Sequence, residues 1–211
     1  VRGRGRLIAL EGIDGSGKST HARLLADAIG ALLTAEPGAT PLGETLRKLL
    51  LDPGLPPVSE RAEALLMAAD RAQHVAEVVL PALEEGQWVV TDRFSASTLA
   101  YQGYGRGLDL AEMRRLVAWA AAGVVPDLTV VLDVDVAVAR RRLHLDGVKV
   151  DRLEGLDVGF HERVRAGYLA LAEADPDTWA VLDGSGEVDA VARSVMAVVV
   201  ERLAPLPTVT P

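Results

Sequence analysis

Residues 9–20 read ALEGIDGSGKST, and this stretch decides the fold. Gly12, Gly17, Lys18 and Ser19 satisfy the spacing G-x-x-x-x-G-K-[ST], with Ile13, Asp14, Gly15 and Ser16 in the variable positions and Thr20 following. The chemistry of such a loop follows from its residue types. Glycines let the backbone turn its N–H groups inward around phosphate oxygens without a side-chain clash. Lys18 offers a positive charge to the β- and γ-phosphates of a nucleotide, and Ser19 offers a hydroxyl to Mg²⁺. A helix beginning near Lys18 adds its positive N-terminal end. These residues, 12–20, are therefore expected to hold a nucleotide's phosphates with Mg²⁺.

The flanking sequence supplies the context such a loop needs. RLIALE (6–11) is a short apolar run before the glycines and reads as a buried strand, while KSTHARLLADAIGALL has apolar residues at helical spacing. LLTAEPGAT (32–40), QWVVTDRF, DLTVVLDV and WAVLD (179–183) are four further strand candidates. Between them lie helical patterns, including a long one from Ser59 to about Glu85 with a serine cap and an expected kink at Pro81. Short apolar strands alternating with helices predict an α/β fold, a parallel sheet of about five strands with helices on both faces.

With 211 residues the chain is expected to form a single domain over 1–211, and 49% apolar residues argue against disorder over most of it. No apolar run approaches the roughly 20 residues a membrane span requires. VRGRGR at the start reads as a short lead-in to the first strand, and APLPTVTP (204–211) reads as a disordered tail. Cysteine is absent, which excludes disulfides and thiolate metal sites and fits a cytoplasmic protein. The four histidines show no metal-ligand spacing. A net charge of −8 argues against broad nucleic-acid binding, but not against a small anionic substrate met by a few placed arginines.

A phosphate loop alone does not say where the terminal phosphate goes. A GTPase switch should carry N-K-x-D, and D-x-x-G after its third strand; neither is found there. Arg47, Arg71 and Arg93 occur instead, among aromatic and small polar neighbours. Positive charge of this kind is what transfer between two polyanions demands. A phosphate-monoester acceptor has its second pKa near ~6, so it is already a nucleophile at pH 7 and needs no general base.

At this point the sequence resembles a known family. EGIDGSGKST, AEPGATPLGETLRKLLL, EALLMAADRAQHV, DRFSASTLAYQGYGRG, PDLTVVLDV and DRLE stand in the order and spacing of bacterial thymidylate kinases, from about Leu7 to Leu203. The resemblance implies a P-loop kinase that moves the γ-phosphoryl group of ATP to dTMP, giving dTDP for dTTP synthesis, as a homodimer with no membrane or nucleic-acid partner. It implies site roles as well. Asp14 matches an acidic residue near the acceptor sugar's 3′-hydroxyl. Glu36 and Pro37 match the turn that lines the acceptor site, where Ala35 and Ala39 depart from the usual arginine and glycine. Arg47 and Arg93 match holders of the acceptor phosphate, and Arg71 one that reaches the thymine. Asp92 matches a carboxylate near Mg²⁺. Thr98 and Gln102 match residues near the base, and Tyr101 one against the deoxyribose.

Two places depart further. Met67 stands where the family usually stacks a phenylalanine on thymine. Rejection of dUMP rests on one methyl group, about 0.8 kcal/mol or roughly fourfold. The stretch RRRLHLDGVKVDRLEG (140–155) resembles the family's lid, expected over about 142–155. The variable positions of the loop hold no basic residue, so a lid cation is expected over the γ-phosphate. Arg152 is the best match, with Lys149 and Arg142 as alternatives, and Arg140 and Arg141 read as a solvated face. The catalytic set implied is Lys18, Arg93, Arg152 and Asp14. A kinase for another deoxynucleotide or a deoxynucleoside is the first rival, and a nucleotide-dependent switch or binding module the second.

Overall fold

The structure, a computed structural model, describes residues 4–145 and 151–207. Five parallel strands form one sheet: β1 (Leu7–Glu11), β2 (Leu32–Ala35), β3 (Val89–Asp92), β4 (Leu128–Asp133) and β5 (Trp179–Asp183). Their order is β2-β3-β1-β4-β5, with Ala9 opposite Thr91 of β3 on one side and Thr129 of β4 on the other. The chain therefore leaves central β1 and later returns on both of its flanks. That reversal opens a crevice at the C-terminal ends of the strands, where open α/β sheets bind ligands.

The three inner strands β1, β3 and β4 are buried on both faces, and the period-2 alternation sorts side chains between two layers. Ile8, Leu10, Val130 and Leu132 pack with α1 (Lys18–Ile29) and the last helix, α9 (Val188–Leu203), through Leu25, Ile29, Val195 and Val199. Leu7, Ala9 and Val89 face the other way, onto Val79, Leu83 and Phe94. A third cluster joins Val131 to Tyr101, Phe160 and Tyr168, the latter two on α8 (Val158–Ala174). Of the expected disordered tail, Leu206 rests against the first cluster, and 208–211 lie outside the described residues.

After β2, α2 (Pro41–Leu51) is capped by Thr40, whose Oγ1 accepts from the Gly43 amide. Next, α3 (Glu60–His74) starts at the expected Ser59 cap, whose Oγ accepts from Ala62 N. The long helical pattern does not simply bend at Pro81. It passes through a π-helical turn, Val75–Val79, before α4 (Leu80–Glu84). Pro81 lacks an N–H and would clash with the preceding turn of an α-helix, so the wider turn absorbs it. A second π-helical turn, Leu99–Gly105, follows the short α5 (Ser95–Thr98), then come α6 (Leu110–Ala120) and α7 (Val136–Leu145).

Candidate active site

A cleft of about 720 Å³ runs along the C-terminal edge of the sheet. At one end lies the glycine loop. Gly15 has φ of 82°, and a Cβ there would come within 2.3 Å of the Ala139 carbonyl oxygen, so only glycine fits. Lys18 is 5% exposed; its Nζ donates to the Ile13 carbonyl at 2.9 Å and lies 3.8 Å from Asp14. Burial and the nearby Arg93 lower the Lys18 pKa, against the pull of Asp14, Asp92 and Glu11. A cation so placed lacks full compensation from its neighbours, and an anionic ligand would supply it.

Ser19 Oγ donates to Asp92 Oδ2, and Asp92 Oδ1 is buried with no hydrogen-bond partner among the described residues. A hydroxyl beside a carboxylate with a spare oxygen is the donor chemistry a hard divalent cation takes. Among the described residues no group of three or more His, Cys, Asp or Glu could hold a metal alone. The pair therefore fits an ion held jointly with a nucleotide.

The centre of the cleft is organised by Arg93. Its backbone has φ of 72°, the left-handed region, a strained conformation for a residue with a side chain. From there its guanidinium donates to Gly12 O at 3.2 Å, Ser97 Oγ at 3.0 Å, Tyr168 OH at 3.1 Å and Tyr101 OH at 3.0 Å, and it pairs with Asp14. Tyr101 OH also donates to Asp14 Oδ2 at 2.7 Å. Burial works against the charge on Asp14, but Arg93 and Lys18 outweigh it and hold the carboxyl well below the usual range. Burial pushes the Tyr101 and Tyr168 phenols up, so both remain donors.

Sequence reasoning passed over the support beneath Arg93. Glu11, at the end of β1, is fully buried and accepts from Phe94 N at 2.8 Å, Ser97 Oγ at 2.7 Å and Tyr168 OH at 2.9 Å. Burial raises its pKa, opposed by Arg93 and these hydrogen bonds. A carboxylate closing an apolar strand just before a glycine loop was the available signal; Tyr168, far along the chain, had none.

At the other end Arg71 is 2% exposed with three donors engaged: Nε to Glu36 Oε2, Nη1 to Thr98 Oγ1 and Nη2 to Phe94 O, each at 2.9 Å. Glu36 is braced in turn by His74, whose Nδ1 lies 2.9 Å from Oε1 and whose Nε2 lies 2.7 Å from Thr34 Oγ1. Arg47 donates to Pro37 O at 2.9 Å from α2. Met67 and Gln102 line the same wall.

The lid region departs from expectation. Arg152 does not reach the loop: its Nε donates to Leu50 O at 2.7 Å and its Nη2 to buried Glu63 at 2.9 Å. A buried carboxylate outcompetes an open cleft for a guanidinium, so Arg152 serves here as an anchor. Arg142 does reach the loop, bonding Gly15 O at 3.5 Å, Gly184 O at 2.9 Å and Ser185 O at 2.9 Å. Lys149 lies outside the described residues. Asp133, at the end of β4, is held bidentately by Arg165 at 2.6 and 2.8 Å and is not part of the cleft wall.

A phosphate loop, a cationic far wall and this sheet order coincide with a wider similarity. The Thymidylate kinase family model matches residues 10–195. The chain belongs to the thymidylate kinase family. It is 49% identical over 203 residues to a thymidylate kinase of Solidesulfovibrio magneticus, covering 91% of this chain and 97% of that one. A thymidylate kinase of Chromobacterium violaceum is 50% identical over 188 residues, 86% and 87% of the two chains. A crystal structure of thymidylate kinase from Ehrlichia chaffeensis superimposes with a TM-score of 0.78 at 32% identity, covering 93% of this chain and 99% of that one. Membership makes the protein a nucleoside monophosphate kinase with the P-loop NTPase fold, and it removes the switch and binding-module readings.

Proposed function

We propose that the protein transfers the γ-phosphoryl group of ATP to the phosphate of dTMP, giving dTDP. The observation that carries this reading is the cleft itself, with the Lys18 loop at one end and Arg47, Arg71 and Arg93 toward the other. The donor's phosphates would lie in residues 12–20, and Ser19 with Asp92 would share Mg²⁺ with them. Bound there, the ion would neutralise charge on the phosphate oxygens. Arg47 and Arg93 would hold the acceptor phosphate, which as a dianion needs alignment rather than deprotonation. Asp14, held ionised, would accept from the sugar 3′-hydroxyl, and Tyr101 would pack against the deoxyribose. The base would lie between Met67, Arg71, Thr98 and Gln102, beyond the Glu36–Pro37 turn. Residues 184–188, which line the loop end, would face the donor's adenine. A role for Arg152 at the phosphoryl group would require it to leave Glu63.

A single domain, a lid over about 142–155 and a cytoplasmic homodimer complete the proposal. Leu65 on α3 is 59% exposed and Trp119 on α6 is 83% exposed; large apolar side chains so open on neighbouring helices suit a subunit contact. Among the described residues no helix is long and apolar enough to cross a membrane. The deciding assay follows ADP release with ATP and Mg²⁺ against dTMP, dUMP, dCMP, dGMP, CMP, UMP and thymidine. Turnover with dTMP supports the reading; turnover with thymidine, or with none of the panel, overturns the acceptor.

A further inference from the structure

Glu63 is fully buried on α3, and no step proposed above uses it. Its carboxylate is crowded with donors. Gln102 Nε2 reaches Oε1 at 3.0 Å and Arg106 Nε reaches it at 3.2 Å, while Arg106 Nη2 and Arg152 Nη2 both reach Oε2 at 2.9 Å. Burial opposes the charge, but Arg106, Gln102 and Arg152 prevail and keep the group ionised. An ionised carboxylate accepts and never donates. Gln102 must therefore turn its NH₂ group toward Glu63, because the opposite orientation would set a carbonyl oxygen against a buried anion.

That constraint acts at the cleft. Gln102 lines the wall beside Thr98 and Arg71, and with its NH₂ turned to Glu63 its carbonyl oxygen is the end of the amide left for the cleft. Thr98 Oγ1 already accepts from Arg71, so its own proton remains free to donate. The wall thus presents a cation and a hydroxyl donor beside an amide acceptor. A pyrimidine edge with a carbonyl next to an N3–H fits this set. Cytosine, with an amino group next to an N3 lone pair, meets donor with donor and acceptor with acceptor.

We propose that Glu63 is a positioning residue for base selection: it locks the Gln102 amide so that the wall accepts from an N3–H and refuses an N3 lone pair. This rests on the reading of the cleft as the acceptor-nucleotide site. It is independent of Met67, which touches the base by packing rather than by donor and acceptor pattern.

Glu63→Gln tests it with little change of shape. In that variant Arg106 and Arg152 claim the new side chain's carbonyl oxygen, so its NH₂ faces Gln102. The Gln102 amide then turns over and offers NH₂ to the cleft. The expected result is a kcat/KM for dTMP lowered about tenfold or more, and a dCMP-to-dTMP ratio of kcat/KM raised about tenfold or more. A merely structural role would lower activity on both acceptors and leave that ratio unmoved; an unmoved ratio in a folded variant overturns the proposal. Wild-type protein inactive on dTMP would overturn the cleft reading and this proposal with it, whereas active wild type with an unmoved variant ratio overturns this proposal alone. If the variant does not fold, ¹⁵N-glutamine labelling of the wild type decides. Gln102 amide protons protected from exchange before dTMP is added support the lock to Glu63. Protection that appears only with dTMP, together with a through-space contact from the thymine imino proton to those amide protons, overturns it.

Discussion

At one end of the cleft, residues 12–20 enclose a space with consecutive backbone, and the functional geometry is set by glycine φ angles at Gly12, Gly15 and Gly17. At the other end the wall is assembled from side chains on separate elements: Glu36 after β2, Met67 and Arg71 on α3, and Thr98 and Gln102 from α5 and the π-helical turn after it, with Arg93 after β3 joining this wall to the loop. The first end reads an anion through N–H groups that any P-loop protein offers. The second would, on the proposed reading, select a particular molecule, and its Arg71, Glu36 and Gln102 side chains are held by other side chains. Damage should therefore propagate differently. A change in the loop should remove chemistry and spare the fold, whereas a change in the far wall should trouble both.

The sharpest contrast lies between Lys18 and Arg93. Lys18→Ala should lower kcat by about a thousandfold, the scale of losing one preorganised charge at the transferring group, with the circular-dichroism melt almost unmoved. Full activity in that variant would remove the loop from the reaction. Arg93→Met should lower kcat/KM by a further-reaching but smaller factor, about a hundredfold. It should also cost about 3 kcal/mol or more of stability, since it strips the partner from Asp14 and removes a positive charge that offsets the burial of Glu11. A melt as unmoved as that of Lys18→Ala would erase the distinction between the two ends.

A smaller effect is expected at Asp70, which is 1% exposed beside Gly43 and accepts from Gly38 N at 3.0 Å. Burial first, and Glu36 second, raise its pKa to about 6; His74 and Arg71 also face it and pull the other way. The folded protein therefore holds this proton more tightly than the unfolded chain, whose aspartates titrate near ~4. Ionised Asp70 costs stability above about pH 6, and that cost vanishes as the pH falls below ~4. Asp70→Asn should stabilise the protein at pH 7.5 by at most ~3 kcal/mol and by nothing near pH 4. Thermal melts at both pH values measure this; a stabilisation equal at the two would mean that Asp70 is not the titrating group.

The same division governs what could be read from the sequence. All five strands, the cap at Ser59 and the phosphate loop were legible, because each is written in adjacent residues. Arg71, Thr98 and Gln102 could be named by resemblance, but not the pairings that hold them. Nothing local in the sequence singles out Glu63 or Tyr168, and Arg152 looked like a lid cation. Arg152 and Glu63 are 89 positions apart, and Tyr168 and Glu11 are 157 apart. Pairings at such separations are fixed by sheet order and helix placement, which no local pattern encodes. The interruption of the long helix by a π-helical turn was missed for a similar reason: a proline predicts a disturbance but not its form, and here both Val75 and Val79 of the wide turn are buried in the core.

Met67 offers the finest test of the far wall. It is partly buried against the cluster that contains Tyr101 and Phe160, and it lines the cleft where the family usually has a phenylalanine. Stacking of two rings is worth about 0.5–1.5 kcal/mol beyond burial, and a sulfur–aromatic contact about 0.3–1.5 kcal/mol. The ranges overlap and differ by at most about 1.2 kcal/mol, so Met67→Phe should lower the KM for dTMP by no more than about eightfold. The gain should be similar for dUMP, because a ring over the base adds contact without adding a sensor for the methyl group. A flexible methionine, however, can move to fill the space a missing methyl leaves, and a ring cannot. On that argument the dTMP-to-dUMP ratio of kcat/KM should widen slightly in the variant, toward the roughly fourfold that one methyl's burial supplies. Unchanged KM and an unchanged ratio would place Met67 away from the base, and leave Arg71, Thr98 and Gln102 to read it from the edge alone.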